Sequence, residues 1–467
     1  MMLSPPQCGA PAASAEGGAR QSIFTLQGQP NPADAPVRTG RTAPLDTAAS
    51  AGAQSAPSPF AHWRSRAMEF RDSPAEAAFR QEVRAFLDAE FPPEFAERPV
   101  EWGLFNGAGR AVPGFAEFMR EWTKKLNARG WGAPAWPKEH GGGGLSVKEQ
   151  FILSEEFAWR RAPRPGGIGH GWAGPTIMVY GTEEQKREYL PKIISGEHIW
   201  CQLFSEPGAG SDLASLQTRA VRDGDDYVIN GQKIWTSGAQ HAHMGILLAR
   251  TNPDAPKHRG ISYFLVDMKT PGITVRPLVN MLNSHEFNEV FFEDVRVPAK
   301  NLLGEENRGW YLATTTLDFE RSGIATSVSH QLIVRDLVRF AKESPVGSRS
   351  VATRPSIRTE LADRAIEAQV ESLISYRIIS MQERGQIPNK ESSIAKLYSS
   401  ELDVRLAVTA MHLAGLYGQI TDREDARVLG GRIARFYMHS TTSPIGGGTS
   451  EIQRNIIATR GLGLPRG

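Results

Sequence analysis

Four short stretches of this chain combine residue types at spacings that could do chemistry. Residues 204–220 read FSEPGAGSDLASLQTRA. A Ser-Glu-Pro turn leading into Gly-Ala-Gly-Ser-Asp lets several backbone N–H groups face one ligand without side-chain obstruction. Ser205 and Ser211 add hydroxyls able to bind polar ring atoms or a phosphate. Residues 231–238 read GQKIWTSG, where the Trp235 indole can stack on a flat heteroaromatic ring while Ser237 or a backbone N–H meets its edge. Residues 314–327 read TTTLDFERSGIATS. On a helix, Glu320 shares a face with Leu317, Gly323 and Ile324, and a carboxylate among apolar neighbours can act as a base. The fourth stretch, SPIGGGTSEIQR over 443–454, has three glycines that bring backbone close to a ligand, yet 445–450 hold no acid, base or nucleophile beyond two hydroxyls. The first three stretches also have a plain structural reading: a strand connection, a core tryptophan, and an ion pair with Arg321 or with a neighbouring helix.

The elements that must position these residues follow a simple order. Apolar residues recur at helical spacing over 75–91, 115–129, 146–158 and 183–194, with Ser73-Pro74 as an entry signal. From 200 the texture changes to short β-rich runs, MGILLART, GISYFLVDM, ITVRPL and EVFFEDVRVP. Asn230-Gly231 within DDYVINGQKIWTSG reads as a hairpin turn. Long amphipathic helical patterns resume over 310–343, 356–384, 392–414, 422–439 and 452–460. The expected fold is multidomain α+β: an N-terminal helical domain over 68–199, a middle antiparallel β-sandwich or barrel over 200–304, and a C-terminal up-down helix bundle over 305–467. Residues 1–67 are rich in Ala, Gly, Pro and Ser, cannot bury enough surface to offset ordering entropy, and are expected to be disordered. A transit peptide or an upstream start before Met68 are both compatible with that segment.

At 467 residues two or three domains are expected. A net charge of +2 argues neither for nor against nucleic acid, and with no Lys/Arg-rich run in the chain it is not an expected partner. Two cysteines, Cys8 and Cys201, give neither a disulfide framework nor a metal-ligand spacing, so no metal site and a reducing, cytoplasmic compartment are expected. A eukaryotic source would make that compartment the mitochondrial matrix. No apolar stretch approaches the ~20 residues that span a bilayer.

In combination, FSEPGAGSD, NGQKIWTSG about 20 residues on, FNEVFFEDVRVP and the closing GGGTSEIQRNIIATRGLG resemble the acyl-CoA dehydrogenase family. The likeness covers essentially everything from Met68 to Gly467. It implies FAD held between the β domain and the C-terminal bundle, with a fatty acyl-CoA thioester stacked against the isoalloxazine. By position, Phe204, Ser205 and the 208–211 turn, including Gly210 and Ser211, match the flavin-binding loop. Trp235, Thr236 and Ser237 match the segment along the ring, with Ser237 near N5. Thr449 and Glu451 match positions touching the ADP half of the cofactor. Ser211, Asp318, Arg321 and Gly448 match acyl-CoA contacts. Gly415, in LAGLYG, matches a glycine near the cofactor of a neighbouring subunit, so a homo-oligomer, dimer or tetramer, is implied.

Two departures from the family pattern matter. An Arg-x-x-Phe-Gly segment, whose arginine meets a neighbouring subunit's FAD in much of the family, is replaced here by SPVGSRSVATRPSIRTELAD. In the medium-chain type the base is a glutamate two residues before the Thr of GTS, and that position here is Gly447. Members such as the isovaleryl-CoA and long-chain enzymes instead place the base before an Arg on the first helix of the C-terminal domain, where this chain has DFER. The resemblance thus assigns the base to Glu320, and one oxyanion donor to the Gly447 N–H. It implies α,β-dehydrogenation of an acyl-CoA to the trans-2-enoyl-CoA, with electrons leaving to an electron-transfer flavoprotein. The rival readings are a flavin oxidase or monooxygenase on the same scaffold, a non-catalytic partner subunit of a hetero-oligomer, and a cofactor-free interaction protein.

Overall fold

The computed structural model describes residues 71–92, 95, 114–164, 166–318, 323–346, 349–421 and 428–465. The extension over 1–67 lies outside them. The N-terminal domain comprises α1 (Pro74–Glu90), α2 (Phe115–Ala128), α3 (Val147–Trp159), a π-turn (Gly169–Ala173), α4 (Gly174–Tyr180) and α5 (Glu183–Ile194). Three of these helices start at reciprocal capping boxes: Ser73 with Glu76, Ser146 with Glu149, and Thr182 with Gln185. Each box satisfies N-terminal N–H groups that the helix itself cannot. The domain closes on an aromatic core of Phe86, Phe91, Trp122, Trp131 and Phe157. The π-turn and α4 were not legible in the sequence, because GGIGHGWAGP is dominated by residues that carry no helical periodicity.

The middle domain is one eight-stranded sheet: β1 (Trp200–Leu203), β2 (Arg219–Asp223), β3 (Asp226–Lys233), β4 (Met244–Arg250), β5 (Ile261–Asp267), β6 (Ile273–Val279), β7 (His285–Pro298) and β8 (Leu302–Leu303). Its order is β6-β7-β3-β2-β4-β5-β8, with β1 also on β4. The sheet is mixed rather than purely antiparallel, since β1 and β2 both run parallel to β4. Every residue of β4 is buried, because both faces are covered. Ile246 and Leu248 join the cluster containing Ile177, Tyr189 and Ile193 of the helical domain. Leu247 and Ala249 join Phe264, Val290 and Phe292 on the other face, as the two-residue period of a strand requires.

The expected hairpin at Asn230-Gly231 is not there. Asn230 and Gly231 lie within β3, where the register shifts at a bulge against β7. The chain reverses instead at Gly224, whose φ of +63° suits the tight link between Asp223 and Asp226. At Gly231 a Cβ would lie 2.7 Å from the Thr218 Cα, so the glycine serves close strand approach rather than a turn.

The C-terminal domain contains α6 (Gly309–Asp318), α7 (Ile324–Glu343), α8 (Pro355–Gln382), α9 (Asn389–Ala414), α10 (Arg432–Ser440) and α11 (Ser450–Ile456). Of the helix expected over 310–343, α6 is described through Asp318 and α7 enters at Gly323, while residues 319–322 lie outside the described residues. Glycine is a poor helix interior residue, and its φ/ψ of −74°/18° here is that of a cap rather than a helical turn. Leu337, Leu361, Leu402, Leu406, Ile433 and Phe436 form the bundle core.

One polar group interrupts that core. His330 of α7 sits between Glu371 of α8, 2.6 Å from Nδ1, and Asp403 of α9, 2.9 Å from Nε2. Burial opposes charging the ring, but the two carboxylates outweigh it and raise its pKa from 6.5 to about 10. A raised folded-state pKa stabilises the fold fully below the unfolded value and loses that contribution as pH rises through the folded one. Thermal stability is therefore expected to decline between pH 6.5 and about 10. A His330→Gln variant should be less stable and flatter over that window in a melting-temperature profile. A profile identical in slope to wild type would remove His330 from the account.

Candidate active site

At one end of the sheet, the segments after β1 and β3 run side by side. Ile234 N–H donates to Ser205 O at 2.9 Å. Lys233, fully buried, donates from Nζ to Phe204 O at 3.0 Å and to Glu206 Oε1 at 2.8 Å. Glu206 also accepts from Gln217 N–H at 2.6 Å and Thr218 N–H at 2.8 Å. Burial alone would raise its pKa, yet Lys233 and these donors lower it. The ion pair thus ties both ends of the 204–218 loop to the root of β3. Phe204 is buried edge-on to Tyr263, whereas Gly210 and Ser211 are exposed and the space beside Gly210 is open.

Trp235 stands out within this end. It is 60% exposed, and its φ of +59° is a conformation a bulky residue rarely adopts. The next residues hold it there. Thr236 N–H donates to Asn288 O and Asn288 Nδ2 donates to Thr236 O, both at 3.0 Å, and Gly238 N–H reaches Glu286 O. An indole that the fold strains and leaves bare, with Phe287 edge-on at 6.0 Å, is an aromatic platform for a flat ligand. Beside it, Thr236 Oγ1 is buried without a partner, and Ser237 is half-buried.

The second group belongs to the loop before α11. Gly447 and Gly448 have φ of +66° and +90°. Gln453 Nε2 donates to both of their carbonyls at 3.3 Å. Neither of their N–H groups finds a backbone acceptor among the described residues. Thr449 caps α11, its hydroxyl accepting from Ile452 N–H at 3.3 Å. Glu451 is exposed, and its own N–H and the Thr449 hydroxyl hold its carboxyl below the usual range. The Ser443 and Ser450 hydroxyls are buried without partners.

The structure therefore brings Phe204, Ser205, Gly210, Ser211, Trp235, Thr236 and Ser237 to one end of the sheet, and Gly447, Gly448, Thr449 and Glu451 to one loop. No hydrogen bond or ion pair among the described residues links the two groups. Gly415 lies elsewhere, exposed at the end of α9 with φ +57°, followed by Leu416 (83% exposed) and Tyr417 (62%). Asp318 is the last described residue of α6. Glu320 and Arg321 lie outside the described residues. Sequence reasoning missed the Glu206–Lys233 pair, although both residues stand inside motifs it singled out. Single charges amid glycine and apolar residues were the available signal.

The residues present fit a flavin dinucleotide. The bare Trp235 indole, the partnerless Thr236 hydroxyl and the unobstructed 207–211 turn supply a stacking face, an edge donor and free backbone. Family models for the N-terminal, middle and C-terminal domains of acyl-CoA dehydrogenases match residues 73–197, 201–295 and 307–462. The chain is 38% identical over 390 residues to the acyl-CoA dehydrogenase IpdE1 of Mycobacterium tuberculosis, covering 83% of this chain and 97% of that one. Among solved structures it is similar to the Tcur3481-Tcur3483 steroid ACAD, with a TM-score of 0.73, 35% identity, and coverage of 86% of this chain and 100% of the other. The ChsE4-ChsE5 complex from Mycobacterium tuberculosis matches with the same TM-score, identity and coverage. With all three of its domains matched by the family's models and a relative 38% identical over most of both chains, the chain belongs to the acyl-CoA dehydrogenase family of oxidoreductases.

Proposed function

We propose that the protein catalyses FAD-dependent α,β-dehydrogenation of an acyl-CoA to its trans-2-enoyl-CoA, with an electron-transfer flavoprotein as acceptor. The observation that carries this reading is the strained, exposed Trp235 beside the partnerless Thr236 hydroxyl. FAD, when bound, supplies the hydride acceptor for the β-carbon. Phe204, Ser205, Gly210 and Ser211 would hold the flavin from the loop side, and Trp235 to Ser237 along the ring. Thr449 and Glu451 would hold the ADP half. Asp318, Arg321, Ser211 and Gly448 would contact the acyl-CoA. Gly447 N–H polarises the thioester oxygen, and Glu320 removes the α-proton. An α-hydrogen beside a thioester is too weakly acidic for an unaided carboxylate, so base and oxyanion donor must act together.

The acyl group we propose is branched, long or cyclic, including steroid-like. The 446–448 glycines would leave no side chain beside the reacting carbons, and two solved relatives carry steroid and two-component names. The active unit is an oligomer. Gly415 and its exposed apolar neighbours support a subunit contact, and those relatives favour a second, different chain as an alternative to self-association. A panel of acyl-CoAs of varied length, branching and ring content, scored anaerobically by flavin bleaching, tests the substrate class. Bulky acyl groups should reduce the flavin at least as fast as straight short ones. A sharp preference for short straight chains contradicts it, and rapid H2O2 release in air would make the protein an oxidase.

A further inference from the structure

Lys396 of α9 lies beneath the glycine loop. Its Nζ donates to Ser443 O at 3.2 Å. A Cβ built on Gly447 would lie 4.0 Å from Lys396 Cε, so no side chain separates this cation's stem from the Gly447 peptide. Among the described residues no carboxylate approaches Nζ within 4.0 Å. The two acids that bear on it are otherwise engaged. Glu401 accepts from Arg454 at 2.6 Å, and Glu451 is held by its own N–H and by the Thr449 hydroxyl. Burial pulls the Lys396 pKa down, and Glu401 and Glu451 only partly offset it.

A half-buried ammonium without a counter-ion is unfavourable unless negative charge arrives from elsewhere. Around it, the Gly447 and Gly448 N–H groups lack backbone acceptors, and the Ser443 and Ser450 hydroxyls lack any. The loop thus gathers several unmet donors above one cation that its two acidic neighbours only partly offset. Such a cradle suits an oxyanion that forms only with substrate in place.

We propose that Lys396 is a positioning residue for the dehydrogenation. It fixes the 446–448 turn through the Ser443 carbonyl and lends the positive potential that stabilises, through Gly447 N–H, the enolate oxygen of the thioester. This rests on the dehydrogenase reading above. As the α-C–H bond breaks, the proton passes to the base carboxylate. The C–H electron pair forms the new C–C π bond, and the carbonyl π pair moves to oxygen. The charge appears where the cradle is most positive, and a cation this close is expected to shift the enolate equilibrium by about tenfold to a hundredfold.

The probe is acetoacetyl-CoA, whose enolate absorbs in the near ultraviolet. The pH at which it ionises when bound to the FAD-loaded protein is measured in wild type, Lys396→Gln and Lys396→Arg. The glutamine amide can still donate to Ser443 O but carries no charge, so a purely structural role would leave ionisation unmoved. The Gln variant is expected to raise the ionisation pH by about one unit or more, at similar probe affinity and flavin content, and Arg to restore most of it. Ionisation in Lys396→Gln indistinguishable from wild type would overturn the proposal. The same measurement in a Glu320→Gln background separates the two readings, because solvent can take the probe's proton there. Normal turnover in that background counts against Glu320 alone, whereas absence of probe binding to wild type at any pH would overturn both.

Discussion

Glu320→Gln should leave the protein yellow and able to bind acyl-CoA while lowering the rate of flavin reduction by about a thousandfold or more, the scale of a positioned general base. The amide keeps the size and much of the polarity of the carboxylate but cannot accept the α-proton. With Gly447 in place of an acid, and only hydroxyls between Ile445 and Ser450, the terminal loop offers no substitute. Stopped-flow mixing with acyl-CoA under anaerobic conditions reads the effect directly. Glu320→Asp should recover part of the rate. Flavin reduction near the wild-type rate in the Gln variant would place the base elsewhere.

The second large effect is expected from Lys233→Met. Methionine can fill much of the fully buried volume, but it leaves Glu206 without its cation. Breaking one side of a buried pair typically costs about 3–5 kcal/mol, because the remaining charge stays buried. The loss falls on the 204–218 loop, which we propose holds the flavin. Phe204 O loses its donor, and Glu206 no longer clamps Gln217 and Thr218 to the strand root. The variant should melt several degrees lower and lose flavin on gel filtration. A Lys233→Met/Glu206→Gln double variant should regain part of the stability, since no buried charge is then unpaired. A single variant with unchanged melting temperature and flavin content would show that the pair supports neither.

How much of this was legible in the sequence differs by element. Helices with strong caps and clear apolar spacing, such as Pro74–Glu90 and Glu183–Ile194, lie close to where the periodicity places them. The Asn230-Gly231 hairpin failed because local turn propensity competed with a tertiary demand, the close approach of Gly231 to Thr218, while Gly224 took the actual reversal. The parallel pairing of β1 and β2 with β4 was also hidden. β1 lies along 244–247 of β4 and β2 meets the same strand at Arg250, with the 204–218 loop between them, an arrangement that no strand pattern records.

The candidate site shows the same division. Motif positions such as Trp235 and Gly447 were readable by resemblance. Their physical distinctiveness came only with coordinates: a bulky residue at φ +59°, and a glycine facing a lysine stem at 4.0 Å. The charged partners Glu206, Lys233, Lys396 and His330 were passed over because a lone charge in sequence looks like a solvated one. Only the fold shows which of them is buried and what faces it.

The most direct test of the dehydrogenase account is anaerobic titration of the purified protein with acyl-CoA, following the flavin absorbance and the mass of the thioester product. The account predicts a yellow protein whose flavin band bleaches in proportion to substrate, and a product two hydrogens lighter than the acyl-CoA added. A colourless protein, or a flavin spectrum that no acyl-CoA in the panel alters, would contradict it.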